Sequence, residues 1–153
     1  MKDVREALIR LTSSYSQRSM IIYGQSKRNN TKALRQIQAM AESFPIQSVW
    51  IKATQNDDFS RDLLSSIVEL TSKFSTINTS QRHQQALLTL ERAFVPKADP
   101  SFLTDIFLDL GSMAKQSGQS VCFFIEDFHC LKKDEARALT MAIHRSNQAG
   151  IPV

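Results

Sequence analysis

No apolar run in the 153-residue chain approaches the roughly 20 residues needed to span a bilayer, so a membrane helix is not expected. The first residues, Met-Lys-Asp-Val-Arg-Glu, carry acids and no signal-type apolar core. A cytoplasmic protein with no membrane partner is the simplest reading. Cysteine is scarce: Cys122 and Cys130, eight positions apart, fit neither a CxxC site nor a disulfide framework and are expected to be reduced thiols. No internal repeat is present.

What is there has the balance of an ordinary globular unit, with 42% hydrophobic and 22% charged residues. The length supports one domain, 1–153, with a real core. The formal net charge is a mild +4, but residues 1–35 hold eight basic side chains against two acids. That local excess could attract nucleotide phosphates or a nucleic-acid backbone, and a solvated basic face is the plain alternative.

Along the chain, Val4, Leu8 and Leu11 predict a short helix over 3–12, with Asp3 as cap. Met20 to Tyr23 reads as a first strand ending at Gly24, and a helical face of Leu34, Ile37, Met40, Ala41 and Phe44 begins near Thr31. Pro45 stops that helix, and Gln47 to Ala53 reads as a second buried strand, so the two strands imply a parallel crossover. The segment 54–118 is expected to be helical: Gln55 to Phe74, with Asp57 and Asp58 near its start, Thr79 to Val95, with His83 a boundary residue, and a helix capped by Asp99, opened by Pro100 and closed by Gly118. Val121 to Ile125 is the most apolar strand, expected to be buried on both faces and to deliver Glu126 and Asp127 at its C-terminal end. A final helix over Lys133 to Gln148 is ended by Gly150.

The stretch after Gly24 has the frame of a phosphate-binding loop, in which Gly, four residues, Gly, Lys and Ser or Thr wrap phosphates in backbone N–H groups. Gly24 and Thr31 hold the outer positions, while Asn29 and Asn30 stand where Gly and Lys belong. Asn29 is the non-glycine type best able to keep a left-handed turn there. Asn30 brings no charge, so the phosphate contact falls to Lys27, Arg28 or Lys32. Ligand sites of open α/β sheets lie at the carboxyl ends of strands, where Glu126 and Asp127 are expected. Together the two segments would suit Mg²⁺-ATP. Thr31 and Glu126 would hold the metal, and Asp127 would be the base that activates water. A metal site from Glu126, Asp127, His129 and Cys130 is the weaker alternative, as is an exposed polar strand end.

Ser19 to Phe44 with Ser48 to Ile51, and Val121 to Leu131 with Ala138 to Val153, resemble the AAA-type ATP-binding domains of the bacterial and archaeal group related to origin-recognition ATPases. The matching features are Tyr-Gly at a strand end, the helix with Leu34-Arg35-Gln36-Ile37, a strand ending in two acids, Phe128-His129-Cys130-Leu131, the His144-Arg145 pair and Ile151-Pro152-Val153. The resemblance implies a three-layer α/β P-loop NTPase core with a parallel sheet, incomplete at its C-terminus, with a degenerate Walker A loop and a Walker B pair in reversed order. It implies ATP and Mg²⁺ as ligands, with weak binding and little hydrolysis. In that family a further strand, a sensor residue and a lid follow, so open sheet edges and self-association are expected of a chain without them. Two rivals stand beside it: an inactive scaffold that binds nucleic acid or a protein partner through its basic N-terminal third, and a truncated fragment with no function.

Overall fold

The computed structural model describes residues 2–13, 20, 27–54, 59–74 and 100–151. It is a mixed α/β structure, mostly helical, around a small parallel sheet. In chain order its elements are α1 (Lys2–Thr12), α2 (Lys27–Ala41), β1 (Ile46–Lys52), α3 (Phe59–Phe74), α4 (Pro100–Gln116), β2 (Ser120–Glu126), a 3₁₀ turn (Phe128–Cys130) and α5 (Lys133–Gln148).

β1 and β2 pair in parallel with Ile46 opposite Ser120 and Lys52 opposite Glu126. Because successive strand side chains point to opposite faces, the sheet feeds two cores. Val49, Ile51, Val121, Phe123 and Ile125 pack with α3, α4 and α5, around Leu63, Ile67, Phe107, Leu110 and Leu139. Ile46, Trp50, Cys122 and Phe124 pack with Leu8 and Leu11 of α1 and Ile37 and Ala41 of α2. Helices therefore cover both faces of the two strands. Phe107 stacks on Phe123 with ring centroids 5.3 Å apart, tying α4 to β2, and Trp50 stacks across the strands on Phe124 at 6.4 Å.

Glycine sets two of the helix ends. Gly118 (φ 67°) follows α4 and Gly150 (φ 69°) follows α5. At each, the residue after the glycine donates its N–H five positions back, Gln119 to the Ala114 carbonyl at 2.8 Å and Ile151 to the Ser146 carbonyl at 3.1 Å. The glycine N–H closes the inner bond, to Lys115 and to Asn147. These are Schellman closures, which need a left-handed residue that glycine adopts without a Cβ clash.

Several expectations change. α2 starts at Lys27, not near Thr31, so Lys27, Arg28, Asn29 and Asn30 form its first turn instead of a loop. Among the described residues the left-handed non-glycine is Asp127 (φ 58°), so Asn29 does not make the expected left-handed turn. Lys27 and Arg28 are good helix formers, and without a second glycine the segment lacks the residue on which a phosphate loop turns. Asp3 lies inside α1, whose first residue is Lys2, so it does not cap the helix from outside. Phe123 and Ile125 are half-buried, so β2 is not fully buried along its length. The first strand beyond Met20, Gly24, Asp57, Asp58, the Thr79 to Val95 helix with His83, Asp99 and Pro152-Val153 lie outside the described residues.

Candidate functional site

Two elements converge on the candidate site. α2 packs its Ile37 and Ala41 side on the same core as β2's Phe124, which fixes the helix along the strand. Its start then lies at the C-terminal end of β2. Thr31, half-buried in the second turn of α2, donates its hydroxyl proton to Glu126 Oε1 at 2.6 Å. This is a short charge-assisted bond, the stronger kind of side-chain hydrogen bond. It joins residues 95 positions apart in the chain.

The strand end that presents Glu126 is held on its other side by β1. Lys52 is its register partner, and Ala53 donates its N–H to the Glu126 carbonyl at 2.8 Å, one residue beyond the strand. Asp127 then leaves the sheet in a left-handed conformation, which aspartate tolerates better than most residues, and its carbonyl accepts from Cys130 N–H at 2.7 Å to close the 3₁₀ turn. The two neighbouring acids thus differ in backbone geometry. Glu126 belongs to the strand and reaches α2, while Asp127 is half-buried at the turn.

Of the other sequence candidates, Arg28, Asn29 and Lys32 are exposed on α2 and Asn30 is half-buried there, while Lys27 contributes its backbone to the first turn. The α2 first turn itself carries no acid, and the carboxylate brought to this end of the helix is that of Glu126, through Thr31. Gly24 lies outside the described residues.

The donors that meet are a hydroxyl and a carboxylate, both hard oxygen ligands of the kind Mg²⁺ takes. Among the described residues no group of three or more His, Cys, Asp or Glu could hold a metal ion. The alternative Glu126, Asp127, His129 and Cys130 centre is therefore not formed. Two protein oxygens still suit Mg²⁺, which keeps several waters and takes much of its coordination from substrate phosphates.

Sequence reasoning did not anticipate Arg35, whose guanidinium carbon sits 3.5 Å from the Trp50 ring centroid. Its local sequence carries no sign of a stacking partner on β1. Beyond β1, an open depression of about 410 Å³ is lined by Trp50, Lys52, Thr54 and Asp62 among others, and neither Thr31 nor Glu126 borders it. Cys122 is a free thiol, and burial pushes it up to about 12 from 9.0. It is a packing residue, unsuited to nucleophilic chemistry near neutral pH. Cys130 is likewise free.

Among the described residues no helix is long and apolar enough to cross a membrane. No family model matches the chain, and neither a curated protein nor a solved structure matches it.

Proposed function

We propose that the chain is the nucleotide-binding part of an AAA-type P-loop domain, one that binds Mg²⁺-ATP weakly and turns it over little or not at all. The supporting observation is the 2.6 Å bond between Thr31 Oγ1 and Glu126 Oε1. Two residues from distant segments that were assigned to the same ion, one near a helix start and one at a parallel strand end, are in direct contact. The parallel pairing of β1 with β2 and the helices on both faces agree with this reading.

In this reading Thr31 and Glu126 hold the Mg²⁺, which supplies charge neutralisation on the phosphates. The N–H groups at the start of α2 point at the phosphate side, where the helix dipole favours negative charge. Arg28 and Lys32 contribute positive charge, and Asn30 donates a hydrogen bond without charge. Lys27, Asn29 and Gly24 complete the phosphate-facing segment. Asp127 is the candidate base, one methylene shorter than glutamate. Its misplacement relative to an attacking water is the expected cause of poor turnover.

Thermal unfolding with and without excess Mg²⁺-ATP tests the proposal. A ligand at about 100 times its Kd that binds only the folded state adds roughly 2.7 kcal/mol, which is several degrees for a domain of this size. The expected result is an upward shift that disappears in Thr31→Ala and grows in Asn30→Lys, which restores the missing cation. An equal shift in all three proteins, or none in wild type and Asn30→Lys, would sink it. Absence of a cooperative transition would favour the fragment reading.

A further inference from the structure

We propose that the solvent face of α2 is a docking stripe for the sugar-phosphate backbone of nucleic acid. Arg28, Lys32, Arg35 and Ala39 follow one another at steps of four, three and four, which on a 3.6-residue helix keeps them along one line. All four are exposed, and the buried Ile37 and Ala41 lie on the opposite side. The first three are cations, and Ala39 continues the line without a charge. The helix Lys27–Ala41 contains no aspartate or glutamate. The first carboxylate after it is Glu42, just past the last helical residue.

Among the described residues none of Arg28, Lys32 and Arg35 shares an ion pair, whereas Arg10 pairs with Glu6 at 2.8 Å and Lys73 with Glu69 at 3.1 Å. Arg35 is also pre-positioned. Its guanidinium lies over Trp50 and donates through Nη1 to Gln38 Oε1 at 3.0 Å. Stacking retains the full charge and leaves further N–H donors for a phosphate, at less loss of side-chain freedom on binding.

The spacing suits a polyanion. From Arg28 to Arg35 the helix rises about 10 Å, and duplex DNA carries a negative charge about every 1.7 Å of its axis, so three cations face several phosphates at once. A lipid surface is less well matched. Interfacial helices set large apolar residues beside the basic face, and here the exposed neighbours are Asn29, Gln36 and the small Ala39. The exposed large apolar residues among those described, Ile9, Met20 and Phe128, lie outside α2.

This inference does not rest on nucleotide binding. Arg28 and Lys32 figure in both readings, so the test uses Arg35 and Ala39. Binding of a labelled mixed-sequence DNA duplex is followed by fluorescence anisotropy over a series of KCl concentrations. Three phosphate contacts predict a slope of log K against log salt of about −2.7. Ala39→Lys adds a fourth cation to the line and keeps a good helix former at an exposed position. It should steepen the slope by about 0.9 and tighten binding several-fold, and Arg35→Gln should do the reverse. Arg35→Lys should keep the slope, since it keeps the charge. Gln116→Lys, an equal charge gain at the exposed end of α4, should change little.

Equal effects of Ala39→Lys and Gln116→Lys would overturn the stripe in favour of net charge. So would absence of duplex binding at low salt, or tighter Arg35-dependent binding to anionic phospholipid vesicles than to the duplex. The Mg²⁺-ATP melting shift of Ala39→Lys, read in parallel, should equal that of wild type, so either reading can fail without the other.

Discussion

Ser120, the first residue of β2, donates its hydroxyl proton to the main-chain carbonyl of Leu11 at 2.9 Å, in a buried contact that spans 109 positions. Leu11 lies in the last turn of α1, where carbonyls have no intrahelical partner. The serine supplies that partner and sets how α1 lies on the sheet. Ser120→Ala is expected to cost about 1–3 kcal/mol, because it leaves a buried acceptor unsatisfied. Urea unfolding checks this: the midpoint should fall with little change in slope.

The Thr31 and Glu126 side chains should be energetically coupled in the absence of any ligand. Thr31→Val, Glu126→Ala and the double variant form a cycle whose interaction energy is expected at about 1 kcal/mol, below the usual range for bonds to a charged group because both residues are only half-buried. A coupling within error of zero would mean that the two residues do not act as a unit.

Phe107 is fully buried and stacks on Phe123, itself half-buried. Phe107→Ala should lose about 3–5 kcal/mol, comparable to the whole stability of a marginal domain, and Phe123→Ala distinctly less. Denaturant titration of both variants ranks them. The reverse order would contradict the packing around α4.

Cys122 predicts a pH dependence. Burial raises its thiol to about 12 in the folded chain from 9.0, so the unfolded chain releases this proton first as pH rises. Stability from this source is complete below pH 9 and is lost progressively between 9 and 12. At pH 10 the loss is about 1 kcal/mol, one unit's worth of proton release by the unfolded chain. Under reducing conditions, Cys122→Ala should show a shallower fall in melting temperature than wild type across this range. Identical falls would mean that the thiol ionises equally well in both states.

Local patterning carried much of the architecture. Lys133 to Gln148 was legible as a helix to its first and last residue, because apolar spacing and a terminating glycine agree there. β1 and β2 were legible within a residue or so from their apolar runs. The start of α2 was not, because phosphate-loop spacing and helix propensity compete over Lys27 to Asn30, and without the second glycine propensity prevails.

The sequence by itself determined the period of each described helix and strand and the chemical types at the candidate site, since these depend on residues a few positions apart. Only the tertiary structure decided that Thr31 meets Glu126 and that Arg35 lies on Trp50. Those pairs form when α2 settles on the sheet through Ile37, Ala41 and Phe124, a packing event between distant segments that no local pattern encodes. Asp127 and Glu126 show the same division: adjacent in sequence and alike in chemistry, they diverge because one completes the strand and the other takes the left-handed turn that leaves it.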